Sequence, residues 1–184
     1  MLSEKHPTLY LNFEHYIGIS ELLPERQSRD LADLLYFLTG DAGKFSLRMQ
    51  TVIQHKGGLD YIPPMRNGQN LLEIPPEEWR NLFNVEELGK YEYVILDLSE
   101  SIQGLFEVLQ ICTKVFTLTK EDKMSRMKLD QYEQLLALCE KDTVKGKTRK
   151  LALPFFQKLP TEMEQFTRGE LAEYVRKEIA MLEN

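Results

Sequence analysis

Short unbroken apolar runs alternate along this 184-residue chain with longer stretches whose apolar residues recur every three or four positions. The runs predict buried strands, and the recurrences predict helices laid on them. The sharpest run is Val94-Ile95-Leu96, entered from Tyr91-Glu92-Tyr93 and ended by Asp97, after which Leu98-Ser99-Glu100-Ser101 turns polar. Four further strands are predicted at residues 8–13, 59–62, 114–119 and about 148–153. Pro63-Pro64 stops the second and Pro154 the last, because proline donates nothing to a ladder.

Between the strands, Leu31, Leu34, Leu35 and Leu38 predict a helix over 30–38 that Gly40 stops. A second helix is expected over 45–54, ended by Gly57-Gly58, and a third over 76–87 with proline in its first turn and Trp79, Leu82 and Phe83 as its apolar stripe. Leu105, Val108 and Leu109 give a helix over 101–111. A long helix over 122–140 is expected to bury Met127, Tyr132, Leu135, Leu136 and Leu138. A last helix starts near Arg168 or Gly169 and carries Leu171, Tyr174, Val175, Glu178 and Leu182. With acids at least as numerous as bases, it is expected to pack on the sheet rather than on anionic lipid.

Strands alternating with helices predict an α/β fold: three layers, a mostly parallel twisted sheet of about five strands, and helices on both faces. The absence of repeats and low-complexity tracts makes one domain over residues 1–184 the expectation. Charge and composition narrow the function classes. Apolar residues are 42% and charged residues 28%, and the net charge of −6 argues against a protein that holds nucleic acid through its phosphates. Lys145, Lys147, Arg149 and Lys150 read as a solvated turn leading into a strand. Cys112 and Cys139 lie in apolar helical stretches without ligand spacing, and His6, His15 and His55 are scattered. No signal-peptide core and no run of the roughly 20 apolar residues a membrane span needs is present, so a cytoplasmic setting is expected.

Asp97 ends an apolar strand, which puts it either at the ligand-binding carboxyl edge of a parallel sheet or at the cap of the next helix. Its neighbours add weight to the first. Thr8-Leu9-Tyr10-Leu11-Asn12-Phe13-Glu14, Gly58-Leu59-Asp60-Tyr61-Ile62-Pro63-Pro64, Tyr91 to Asp97, and Lys114-Val115-Phe116-Thr117-Leu118-Thr119-Lys120-Glu121 occur in this order. Together they resemble successive strand signatures of the ParA/MinD/CpaE-type P-loop ATPases (SIMIBI class), over about residues 8–153. The resemblance implies that Asp97 is the Walker B-like acid that holds Mg²⁺ through water. It implies that Glu14 stands near the attacking water, that Asn12 replaces a customary Asp, and that Thr119 is at the cofactor. ATP and Mg²⁺ are the implied cofactors, and a homodimer or a partner protein the implied assembly, in a switch that positions or assembles larger machinery such as a pilus or secretion system.

One signature is missing. Phosphate cradling requires Gly-x-x-x-x-Gly-Lys-Ser/Thr between a strand and a helix, and the 184 residues contain none. Gly40-Asp41-Ala42-Gly43-Lys44-Phe45-Ser46 comes nearest but has Leu38 and Phe45 in the wrong places and no strand before it, so it reads as an interhelix turn. The chain therefore resembles the family fold entered just after its P-loop, as a fragment or as a degenerate member, and is expected not to turn over ATP alone. Without the P-loop strand, the strands at 93 and 114 are expected to pair directly, in the order 2-1-3-4-5, or to leave edges that associate. That order leaves open a receiver-like phospho-acceptor, using Asp97, Thr117 or Thr119, and Lys158. A degenerate, non-catalytic interaction module is the other alternative.

Overall fold

The structure is a computed structural model and describes residues 1–16, 18, 29–40, 42–100, 102–156, 158 and 160–181. The turn expected at 17–20 (except Gly18), the helix start at Ser101 and the last stripe residue Leu182 lie outside the described residues. In chain order the elements are β1 (Thr8–Phe13), α1 (Leu31–Leu38), α2 (Phe45–Gln50), β2 (Gln54–Lys56), β3 (Leu59–Ile62), α3 (Pro76–Phe83) and β4 (Tyr93–Leu98). They continue as α4 (Leu105–Ile111), β5 (Val115–Thr119), α5 (Lys123–Leu138), α6 (Asp142–Lys147), β6 (Thr148–Ala152) and α7 (Gly169–Ala180). They gather into two compact units, one of Met1–Gln103 with Lys158–Asn184 and one of Gly104–Gln157.

The first unit holds a four-stranded sheet in the order β2-β3-β1-β4. β1 is its organising strand. It pairs in parallel with β4 along all six residues, from Thr8↔Tyr93 to Phe13↔Leu98, and in parallel with β3 from Leu9↔Asp60 to Leu11↔Ile62. Five of its six residues are buried, as a central strand covered on both faces requires. Leu9, Leu11 and Phe13 make one face; Thr8, Tyr10 and Asn12 make the other. On the apolar face, Phe13 meets the buried Trp79 of α3 edge-on at 4.9 Å and Phe83 at 6.3 Å. Such aromatic pairs add about 0.5–1.5 kcal/mol beyond the area they bury. α1 starts at a capping box on Asp30, whose Oδ1 accepts from Ala32 N at 2.8 Å while Asp33 Oδ2 accepts from Asp30 N at 2.9 Å. Leu31 N donates to Pro63 O at 2.9 Å, tying that helix start to the chain leaving β3.

β2 corrects the sequence expectation, which ran a helix through Gln54. Gly57 and Gly58 have φ of +57° and +82°, the left-handed pair of a two-residue hairpin turn. They fold Gln54–Lys56 back antiparallel on β3 instead of ending a helix.

The second unit pairs β5 with β6 in parallel, from Val115↔Thr148 to Thr119↔Ala152. Lys141 donates to Gln110 Oε1 at 2.9 Å, Lys147 to Gln110 O at 2.6 Å, and Lys150 pairs with Glu133 of α5. The basic cluster therefore spans α6 and the start of β6 rather than a turn. The direct pairing expected between the strands at 93 and 114 is not formed; β4 and β5 belong to separate sheets. The apolar runs also predicted burial on both faces, but Ile95 of β4 and Leu118 of β5 are exposed, and a run says nothing of which strand lies beside it. The 2-1-3 order of the first three parallel strands is as expected, whereas the continuous 2-1-3-4-5 order of a receiver is absent. A further correction concerns α5. It buries Leu136 and half-buries Leu129 and Tyr132, but Met127, Leu135 and Leu138 are exposed.

Gly68 opens a 3₁₀ turn capped by Asn67, and a Cβ there would lie 2.1 Å from the His15 carbonyl oxygen. Gly68→Ala is expected to cost about 1–3 kcal/mol in urea unfolding because backbone must move. Gly89→Ala, which meets nothing within 4 Å, is the near-neutral control.

Candidate functional site

The parallel register of β1 and β4 sets Asn12 beside Asp97 at the carboxyl ends of the two strands. In-register residues of a parallel pair point to the same face, so the polar face of β1 runs on into the Asp97 carboxylate. Tyr10 donates its hydroxyl to Asp97 Oδ2 at 2.7 Å. Asn12 Nδ2 donates to that oxygen at 3.3 Å and to the Tyr10 hydroxyl at 3.1 Å. Asn12 Oδ1 accepts the backbone N–H of Glu14 at 3.1 Å, which turns the chain off the strand with Glu14 on the same rim. Asn12 is 2% exposed and each end of its amide is used. Among the described residues, nothing donates to Asp97 Oδ1.

These contacts explain the local electrostatics. Burial pushes the Tyr10 hydroxyl above its ordinary range; the Asn12 bond opposes this and the Asp97 carboxylate adds to it. Partial burial raises the Glu14 carboxyl, the negative charge of Asp97 raises it further, and Asn12 opposes both. Glu14 thus feels Asp97 as a like charge across the rim.

Of the four residues singled out from the sequence, the structure brings Asn12, Glu14 and Asp97 together. Thr119 ends β5 in the other compact unit, where its Oγ1 donates to Lys120 O at 3.3 Å and its carbonyl accepts Leu153 N at 2.9 Å. Within Gly40–Ser46, the described residues form a short 3₁₀ segment, Ala42–Lys44, leading into α2, and no strand-to-helix cradle is present among them. Sequence reasoning missed Tyr10. Its signal was there in the two-residue spacing to Asn12, which puts both on one strand face.

The histidines lie elsewhere. His6 Nδ1 meets Glu92 Oε2 at 2.8 Å, and His55 Nδ1 meets Asp60 Oδ1 at 2.5 Å while Tyr91 donates to Asp60 Oδ2 at 2.8 Å. Asp60 stands opposite Leu9, and Tyr91 precedes β4, so this second polar group is near the amino rim of the sheet, beside a cavity of about 380 Å³. No group of three potential metal ligands occurs among the described residues.

No family model and no curated protein matches the chain. Solved structures do. A ParA family ATPase from Chlorobium tepidum TLS superposes with a TM-score of 0.61 at 24% identity over 82% of this chain. A putative plasmid partition protein from Borrelia burgdorferi, solved bound to AMPPNP, gives a TM-score of 0.57 at 13% identity over 97% of this chain. A second plasmid partition protein structure from Borrelia burgdorferi gives 0.52 at 13% identity over 97%. The fold is that of the ParA-type ATPases. The chain spans 63% of the length of the Chlorobium protein and 70% and 74% of the two Borrelia chains, so the ParA-type fold is matched in part. No helix among the described residues is long and apolar enough to cross a membrane.

Asn12→Asp tests the electrostatic frame. It sets a second carboxylate where an amide now donates to Asp97, and leaves like charges in a buried place. One carboxyl of the pair is then raised in the folded state, so stability is lost as pH rises above the ordinary carboxylate pKa. The expected deficit is about 1–3 kcal/mol at pH 7, shrinking as pH falls toward 4 and on addition of Mg²⁺, read by urea unfolding.

Proposed function

We propose that this chain is the acid-bearing portion of a ParA-type, ATP-responsive switch that positions or assembles larger machinery, and that it works as a homodimer or with a partner protein. The observation that carries the reading is the Asn12–Asp97 register on neighbouring parallel strands, with Glu14 on the same rim, in a ParA-type fold. One of the similar proteins was solved bound to AMPPNP, which supports nucleotide as the ligand class.

Asp97 offers one carboxylate oxygen to a divalent cation, whose remaining ligands would be water and nucleotide. Asp97 Oδ2 is held by two donors while Oδ1 is left for a cation or its water, and the repulsion between Glu14 and Asp97 is what a cation would relieve. Mg²⁺, when bound with nucleotide, neutralises phosphate charge. Asp97 would hold it, Tyr10 and Asn12 would fix the Asp97 carboxylate in one orientation, and Glu14 would orient a water near the phosphate. The same residues do not make a phosphate cradle, and no glycine-rich lysine loop occurs in the sequence. Tight nucleotide binding by these residues therefore depends on a loop supplied from outside them. A non-catalytic binding module is the second reading. It is favoured by the neutral Asn12, whose amide already occupies one side of Asp97.

The test uses Mn²⁺ in place of Mg²⁺. The first reading expects paramagnetic broadening centred on Asn12, Glu14 and Asp97, its loss in Asp97→Ala, and ATP turnover at background for the 184-residue chain. Joining a strand, a Gly-rich lysine loop and a helix before Met1 is then expected to give Mg²⁺-dependent nucleotide binding that Asp97→Ala weakens at least tenfold. Broadening nowhere near Asp97 would favour the binding module. ATP turnover by the 184 residues that survives Asp97→Ala would overturn both.

A further inference from the structure

A cavity of about 380 Å³ opens near the amino rim of the first unit's sheet, the end away from Asp97. Met49, which is buried, and Ile53 give it an apolar wall. Three further elements bring polar groups to it. β2 and β3 set His55 opposite Asp60 in antiparallel register, and Tyr91 arrives from the segment that enters β4. Asp60 is bonded on both oxygens, to His55 Nδ1 at 2.5 Å and to the Tyr91 hydroxyl at 2.8 Å. Tyr91 keeps its proton: burial raises its hydroxyl, and the bond to Asp60 and the Asp60 charge raise it further. A partly apolar cavity with a few polar groups held in place is the usual form of a small-molecule site.

The lining also selects a charge. With its Nδ1 proton given to Asp60, a neutral His55 ring presents Nε2 as an acceptor, and nothing among the described residues meets it. Each Asp60 oxygen keeps one lone pair beyond the bond it already accepts. Glu87 lines the same cavity, half-buried, and its carboxylate has no partner among the described residues. Lys90 is the lysine of the lining, and it is exposed, so water screens it more than the two half-buried carboxylates. Acceptors and negative charge are therefore in surplus beside an apolar wall. A carboxylate ligand would meet like charge there, whereas an ammonium would find acceptors.

We infer that this cavity is a second ligand site, for a small organic ammonium whose apolar body lies against Met49 and Ile53. The ammonium donates toward Glu87 and the unused acceptors of His55 and Asp60. The site shares no residue with the Asp97 rim, so the inference is independent of the nucleotide reading.

The test titrates the full chain with phenethylamine and, separately, with phenylpropanoate, which carries the same phenylethyl body on a carboxylate. Amide NMR shifts report both the place and the affinity. Saturable shifts are expected for the amine at Met49, Ile53, His55 and Tyr91, with none at Asn12 or Asp97, and no saturable shifts for the acid. Glu87→Gln removes a charge, keeps the shape and breaks no bond of the fold; it is expected to weaken the amine roughly tenfold. Asp60→Asn is expected to weaken it as well, with circular dichroism to check folding, because this change also alters the bonds to His55 and Tyr91. The Glu87 variant keeps the test decisive if the Asp60 variant unfolds. Absent amine binding, shifts centred elsewhere, an acid bound as tightly as the amine, or an amine affinity unchanged in Glu87→Gln would each overturn the inference.

Discussion

Six residues of β1 lying in parallel register with six of β4 are the constraint from which the rest of the first unit follows. The pairing sets the strand direction, and the direction decides that Asn12, Glu14 and Asp97 share one rim. A slip of one residue would send Asp97 to the apolar face of β1, among Leu9, Leu11 and Phe13, where a carboxylate is costly. The buried edge-on contact of Phe13 with Trp79 and the polar chain through Tyr10 and Asn12 therefore enforce the same register from opposite faces of the sheet.

The rim has a definite chemical character. One carboxylate is held by two donors, a second is pushed toward its neutral form by burial and by the first, and a neutral amide stands between strand and turn. The fold likeness to ParA-type ATPases, which spans 63% and 70% of the lengths of two of those proteins, gives this rim a context.

Much of this was legible in the sequence. Val94-Ile95-Leu96 ending on Asp97 and the proline pair after Ile62 marked two strands of the parallel set and the rim on which their ends lie. What failed did so for identifiable reasons. Gly57-Gly58 ends a helix or turns a hairpin with equal ease, and the choice depends on β3 being there to pair with. The separation of β4 from β5 was invisible because periodicity carries no neighbour information. In α5, Met127, Leu135 and Leu138 have the spacing of a buried face, and only the packing of Tyr132 and Leu136 reveals that a different arc is used. Tyr10 was overlooked because a tyrosine in a strand reads as core, and its hydroxyl finds its purpose only when Asp97 arrives from β4, 87 residues away.

The central claim, that β1 and β4 hold one carboxylate between them through Tyr10 and Asn12, is tested most directly by a double-mutant cycle of Tyr10→Phe and Asp97→Asn on unfolding free energy. A hydroxyl donating to a partly buried carboxylate at 2.7 Å predicts a coupling of about 1–3 kcal/mol between the two positions. Additive effects would contradict it, since two residues distant in sequence and not in contact have no reason to couple.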